Sequence, residues 1–460
     1  MAMTTQARLV ATLIAVGLGL AIVAPASACE DHALRDMAAA TPQGTASAIV
    51  PGAVGRTSLA LRATYDVTAK LGFASRAFSA RTTITVTNTS GGPIDRLELN
   101  TVAARLGTIH LWTVTVDGRS VAARISDQTI VVPLGGQLPA GATATIRVPY
   151  SARLRSTLVG SSWMFTRANG IASIYRWIPW ISRATPFSRP NHGDPFVTPA
   201  SPRVTVRLAT DRYLPVASTG ERVSISADRL IQTFRAENVR DFVLSAAPDY
   251  RFHDAVVGDN VIRVAARPGA PATAMLAAAR LALTRLERLL GPYPYRLYTV
   301  AQSAGGFGME GPGTTWIPTG IALGNLRYLV AHETAHQWFY GIVGNDQARR
   351  PFADEAAADF VARYALGLKR GSGCSAQTLD RSIYRYTALC YYEVIYIQGG
   401  NVLDSLRQRM GSTRFWGAIR RYLGDHRFGL SSTKTLLDAL DAATPLSFSS
   451  IYRSRFPSLY

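Results

Sequence analysis

A two-part chain, β first and α second, is what the sequence predicts, and three observations carry that prediction. From Ser58 to about Tyr250, short runs alternate apolar and polar residues and are broken by turn-forming residues. After Asp254 the apolar residues recur at helical spacing instead. The 460 residues, 47% hydrophobic and 17% charged, are enough to bury the cores of two or three domains. The fold class expected is therefore multidomain α and β, an N-terminal antiparallel sheet domain followed by an α-rich domain.

The first 32 residues read MAMTTQARLVATLIAVGLGLAIVAPASACEDH. Arg8 precedes an apolar run from Leu9 to Val23, and Ala26-Ser27-Ala28 is a small-x-small cleavage pattern. The run is short for a spanning helix, so residues 1–28 read as a signal peptide, with an uncleaved anchor as the alternative. The expected destination is outside the cytoplasm: secreted, periplasmic or on the cell surface. Cleavage after Ala28 would leave Cys29 first, where a lipid could attach, although Ala26 stands where a lipoprotein signal usually has leucine. No later apolar span reaches 20 residues, so no stable membrane insertion is expected after cleavage. Residues 29–57, rich in Ala, Thr, Gly and Pro, read as a flexible linker.

The β domain is expected over 58–250. ARTTITVTNTSGG (80–92), IHLWTVTVDGRSV (109–121), QTIVVPL (128–134) and ATATIRVPY (142–150) have period two, and RVTVRLAT (203–210) and RLIQTFRA (229–236) repeat it. The second domain, 251–460, should hold helices over 271–291, 326–344, 353–369, 401–411, 414–426 and 432–443, with short strands at 296–303 and 313–318. Of the three cysteines, Cys374 and Cys390 are the pair expected to bridge in an oxidising compartment.

The net charge is +19, yet only Lys70, Lys369 and Lys434 of the 49 basic residues are lysines. The arginines are scattered, with no basic tract carrying interleaved aromatics, which argues against nucleic acid as a partner. A basic exterior fits weak association with an anionic cell surface.

The chemistry concentrates in HETAHQWFYGIVGNDQARRPFADE (332–355), in a chain with seven histidines. His332 and His336, four apart on a helix, share a face, and Glu333 follows the first. This HExxH pattern is a zinc signature: two imidazoles hold the metal and the glutamate takes a proton from water. A catalytic zinc needs a third protein ligand and an open position. Cys374, Cys390, His426, Asp346, Asp354, Glu355 and Asp359 are the downstream candidates, and of the neighbours Asp354 and Glu355 only one can face the metal. His32, His110, His192, His253 and His426 have no metal spacing and are read as structural.

HExxH, eighteen residues, then Glu resembles the gluzincin zinc aminopeptidases, which include the alanyl aminopeptidases and leukotriene hydrolase. GPYPY (291–295), GFGMEGPG (306–313) and YIQGGNVLDSLRQRMG (396–411) resemble further elements of that family in the same order, over roughly 58–450. The resemblance implies a saddle-shaped β domain before a thermolysin-like catalytic domain. It also implies one Zn²⁺ per chain on His332, His336 and Glu355, with Glu333 as general base. By the same resemblance Tyr396 would stabilise the tetrahedral intermediate, and Glu310 would grip the free amine of a peptide substrate beside Gly308 and Met309. Gly305, Gly306 and Gly308 would let the substrate backbone lie close, and Asp359 would orient a ligand histidine.

Three positions depart from the family pattern: Gly311 and Asp354 replace asparagines, and Gln398 replaces a lysine. Nothing after about residue 450 resembles the family's large C-terminal helical domain, which implies a cleft left more open or covered by a partner. The expected function is removal of single N-terminal residues from peptides. A thermolysin-like endopeptidase and a non-catalytic binding protein that keeps the fold are the alternatives.

Overall fold

The computed structural model describes residues 47–460; the signal peptide, its cleavage point and Cys29 lie outside the described residues. Alternation dominates the first half. Strands β1 (Leu61–Gly72) and β2 (Ala77–Asn88) bury every second side chain and pair antiparallel, with Tyr65 opposite Ile84. β3 (Thr143–Arg153) continues from β2, and β4 (Val204–Thr210) closes on the other side of β1, within a nine-stranded sheet. The sheet is not wholly antiparallel as expected. β4 runs parallel to β1, Tyr65 beside Val204, because the long intervening chain can cross over and return in the same direction.

The expected linker is held in place over its described part. Val50 exchanges backbone hydrogen bonds with Gln137 at 2.9 and 2.8 Å. Asp95 accepts the backbone N–H groups of Val54, Gly55 and Arg56 at 2.7, 2.5 and 3.1 Å. A carboxylate with three donors restrains a segment whose composition alone reads as loose.

A five-stranded sheet joins the two halves. β5 (Arg251–Val257) pairs antiparallel with β6 (Asn260–Ala266), and β6 lies parallel to β7 (Leu297–Ser303). Across from β7, β8 (Met309–Gly311) is the edge, antiparallel to β9 (Thr314–Pro318). Ala265, Ala301, Ala304, Met309 and Trp316 join the core of the β region. Ile262, Val264, Tyr298, Val300 and Ile317 join the core of the helices. One sheet thus has an apolar face in each core.

Helix α1 (Ala272–Leu290) follows the expected periodicity, and α2 (Leu323–Ala335) packs on it. The helix expected to reach residue 344 ends at His336. Gln337 stops it: its side chain donates to Gly311 O at 2.9 Å and accepts from Gly313 N at 2.8 Å, stitching the helix end to the loop after β8. The turn then tightens at Gly341, where a Cβ would sit 2.5 Å from Gln337 O. α3 (Glu355–Leu366) is buried from Glu355 to Arg363, and α4 (Gly399–Met410) crosses it. Gly399 permits that crossing, since a Cβ there would lie 2.7 Å from the Ala356 Cβ. Cys374 and Cys390 are bridged, with Cα atoms 5.9 Å apart. No helix among the described residues is long and apolar enough to cross a membrane.

Arg240 ties the β region to the loops beyond α2. It is 1% exposed and, among the described residues, forms no ion pair within 4.0 Å. Instead it donates to four carbonyls: Thr198 (2.8 Å), Gly341 (3.3 Å), Ile342 (3.2 Å) and Gly429 (3.1 Å). Arg240→Ala strands these acceptors and should destabilise the protein by about 3 kcal/mol or more. Equilibrium denaturation checks this; a loss below about 1 kcal/mol would mean that water replaces the guanidinium.

Candidate active site

His332 sits in the last turn of α2 and His336 caps it, still in helical conformation, so the four-residue spacing keeps both rings on one side. Their Nε2 atoms are 3.2 Å apart. Glu355, the first residue of α3, brings Oε2 to 3.5 Å from His332 Nε2 and 3.4 Å from His336 Nε2. All three residues are buried. His336 Nδ1 donates to Asp354 Oδ1 at 2.7 Å, with Phe339 O at 3.0 Å, which leaves the Nε2 lone pair facing Glu355.

Two imidazole lone pairs and a carboxylate oxygen aimed at one point repel each other unless a cation lies among them. Glu355 Oε2 is buried and has no hydrogen-bond donor among the described residues. The three ligand atoms lie within 4.8 Å of one another. Two nitrogens and one oxygen with an open side make a donor set that fits a catalytic zinc.

Glu310, Glu333 and His336 form a second group, also within 4.8 Å. Burial raises the Glu333 carboxyl well above its ordinary range; His336 opposes this, and Glu310 and Glu355 reinforce it. Burial likewise raises Glu310, with His336 opposing and Asp354 and Glu355 adding to the rise. Edge strand β8 sets Glu310 opposite Thr315, and its Oε1 accepts from Gln347 Nε2 at 3.3 Å. Tyr396 lies in a π-helical stretch, Tyr392–Gln398, that runs into α4. The wider turn places its ring against His332, centroids 5.5 Å apart and nearly parallel.

The glycines also leave room for the protein's own side chains. A Cβ on Gly308 would overlap Glu333 Oε1, so its bareness makes room for the glutamate. At Gly305 a Cβ would fall 2.6 Å from Leu158 Cδ1, and at Gly306 it would overlap the Trp163 ring. Those two admit side chains of the β region. Met309 lines the cavity and is buried in the first core.

Asp359 does not reach a histidine. It accepts from the Tyr328 hydroxyl and pairs with Arg363 at 2.6 Å. Asp354 orients His336 instead, itself held by Gln347 Nε2 at 2.6 Å, and burial lifts its carboxyl to about 6 against the pull of His336. Its place beside Glu355 turns it away from the point where the three ligand atoms converge and towards the rear of His336. That role was open to sequence reasoning only as the residue preceding a ligand.

The cluster lines a cavity of about 730 Å³. The β region contributes residues that no motif marks. Asp194 is buried, with Arg189 at 3.9 Å. His192, read as structural, packs at a tilt against half-exposed Phe307, centroids 4.3 Å apart, and Trp163 stands 6.0 Å from the same ring.

No family model and no curated protein sequence matches the chain. Solved structures do. The M1 zinc metallopeptidase of Deinococcus radiodurans aligns with a TM-score of 0.62 at 20% identity, covering 86% of this chain and 93% of that one. A variant of it bound to a Tyr-Ser-Ala substrate gives 0.64 at 19% identity, covering 88% and 96%. A two-domain M1 zinc metallopeptidase variant bound to L-arginine gives 0.62 at 19%, covering 86% and 93%.

The chain has the M1 zinc metallopeptidase fold. The resemblance read from the motifs is thus met in three dimensions across most of the chain. Within that M1 fold, the two helices that carry the histidines and Glu355 are brought to one point by burial of α3.

Asp354→Asn should keep the fold and weaken zinc binding about 10- to 100-fold, because the donor set loses its anionic support. Asp359→Asn should leave zinc affinity near the wild-type value. Competition against a calibrated chelator measures both. Equal affinities in Asp354→Asn and wild type would remove Asp354 from the metal site.

Proposed function

We propose that the protein is a zinc-dependent aminopeptidase that removes single N-terminal residues from peptides. The observation that carries this reading is the buried carboxylate Glu310 standing beside Glu333 and His336, within 4.8 Å across their polar atoms. Zinc held by His332, His336 and Glu355 would supply a Lewis acid that polarises the scissile carbonyl and makes water acidic.

The chain's own groups do the rest. Glu333, ionised, takes a proton from the attacking water, and burial, which raises the proton affinity of its carboxyl, helps it hold that proton until it is delivered to the leaving amine. The Tyr396 hydroxyl donates to the oxyanion that develops on the carbonyl oxygen. Its burial raises its pKa well above the ordinary value, so it stays a donor throughout. Glu310 pairs with the substrate ammonium. An incoming cation relieves the repulsion that Asp354 and Glu355 exert on that carboxylate, so a free amine is favoured over a neutral blocked end. Each further residue adds about 3.3 Å, so an amine fixed at Glu310 leaves the first peptide bond at the cluster.

A short peptide with a free N-terminus, set against its N-acetylated twin, tests the reading. Chelator-sensitive release of single residues from the free peptide alone is expected, and Glu310→Gln should erase that preference. Internal cuts in both peptides would identify an endopeptidase. Glu333→Gln should retain zinc and lose about 10²–10⁴-fold in kcat. Tyr396→Phe should lose about 10²–10³-fold in kcat with KM nearly unchanged. An effect on KM alone would reduce the tyrosine to a binding group.

A further inference from the structure

The cavity contains a cation that no acid answers. Arg370 follows α3 and lines the same cavity as the metal cluster. Its guanidinium packs over the Tyr328 ring, 4.0 Å from the centroid, and donates to the Tyr392 hydroxyl. Asn401 Nδ2 donates to its backbone carbonyl at 3.1 Å, which ties the segment to α4. Tyr328 is itself held by Asp359, so the floor under the guanidinium is fixed. Among the described residues no carboxylate oxygen lies within 4.0 Å of the Arg370 nitrogens. The cavity's other arginine, Arg189, faces Asp194 at 3.9 Å.

The position of this cation defines a length. Tyr328, His332 and His336 follow one another a turn apart along α2. Glu310 groups with Glu333 and His336, whereas Arg370 rests on Tyr328. Residues 328 and 336 are separated by about 12 Å of helix axis. An extended peptide covers that distance in about three to four residues at 3.3 Å each. A negative group at that end would meet a planar, fixed guanidinium suited to holding a carboxylate through two parallel hydrogen bonds.

We propose that Arg370 binds the C-terminal carboxylate of short peptide substrates, so that the site favours peptides of three or four residues held at both ends. The amine end of this proposal rests on the reading of Glu310 given above; the carboxylate end does not. An acidic side chain offers the same chemistry and has to be separated from a chain end.

The test uses the whole zinc-loaded protein and three ligands: a tripeptide acid, its C-terminal amide, and an amide with aspartate in last place. Binding is read by calorimetry on Glu333→Gln, and hydrolysis as kcat/KM on otherwise wild-type protein. The acid should bind and be cleaved about ten-fold better than the plain amide. Arg370→Gln should bring that ratio to about one, and Arg370→Lys should restore part of it. Because the readout is a ratio within one variant, misfolding lowers both ligands and leaves the ratio intact.

Equal handling of acid and amide by the wild type overturns the proposal, as does a preference that survives Arg370→Gln. Recovery by the aspartate amide alone moves the recognised group from the chain end to a side chain and also overturns it. Cleavage without acid preference removes this proposal and leaves the aminopeptidase reading standing. Tighter binding of the acid without cleavage does the reverse, and binding of neither ligand overturns both.

Discussion

Four carboxylates, Glu310, Glu333, Asp354 and Glu355, crowd two imidazoles, and none is more than 6% exposed. Uncompensated, that much buried negative charge would not be stable in a folded protein. The surrounding architecture answers it. His336 donates from Nδ1 to Asp354, and Gln347 donates to both Asp354 and Glu310. The point where His332, His336 and Glu355 converge calls for a cation. The same crowding makes the site chemically useful. Burial, with the neighbouring carboxylates adding to it, raises both Glu333 and Glu310, which gives Glu333 a greater proton affinity and Glu310 more to gain from an ammonium.

Burying such a site requires walls on all sides, and the β region supplies much of them. The five-stranded sheet carries one core on each face. Arg240 and Arg176 extend the junction beyond apolar contact. Arg176 lies 3.7 Å from Asp241 and donates to the Tyr340 hydroxyl at 3.2 Å, while Arg240 satisfies carbonyls of the turns after α2. Those turns hold Gln337 against the loop after β8, and so fix the distance between His336 and Glu310. Stability and catalytic geometry therefore depend on the same contacts.

Close approach of helices completes the arrangement. α3 is small-faced at Ala356, Ala357 and Ala358, and Gly399 and Gly400 let α4 lie against it. The π-helical stretch before α4 then aims Tyr396 at His332. A one-residue change of register there would turn the hydroxyl away by about 100°.

Sequence alone determined the local features. Period-two alternation placed the strands, 3.6-residue periodicity placed α1 and α3, and the spacing of His332, Glu333, His336 and Glu355 marked the cluster that could hold a metal. These signals are legible because each depends on neighbours along the chain or on a motif of fixed spacing. Tertiary structure alone decided what depends on distant partners. The extension of α2 beyond His336 failed because Gln337 finds its partners in Gly311 and Gly313. Asp354 rather than Asp359 serves His336, since a helix start fixes which side chain points back. Gly308 yields to Glu333, Gly305 and Gly306 yield to the β region, and Asp194, His192 and Arg370 reach the cavity from segments with no motif. Those roles arise only where the folded chain brings remote side chains into one low-dielectric space, and no period or spacing in the sequence encodes that meeting.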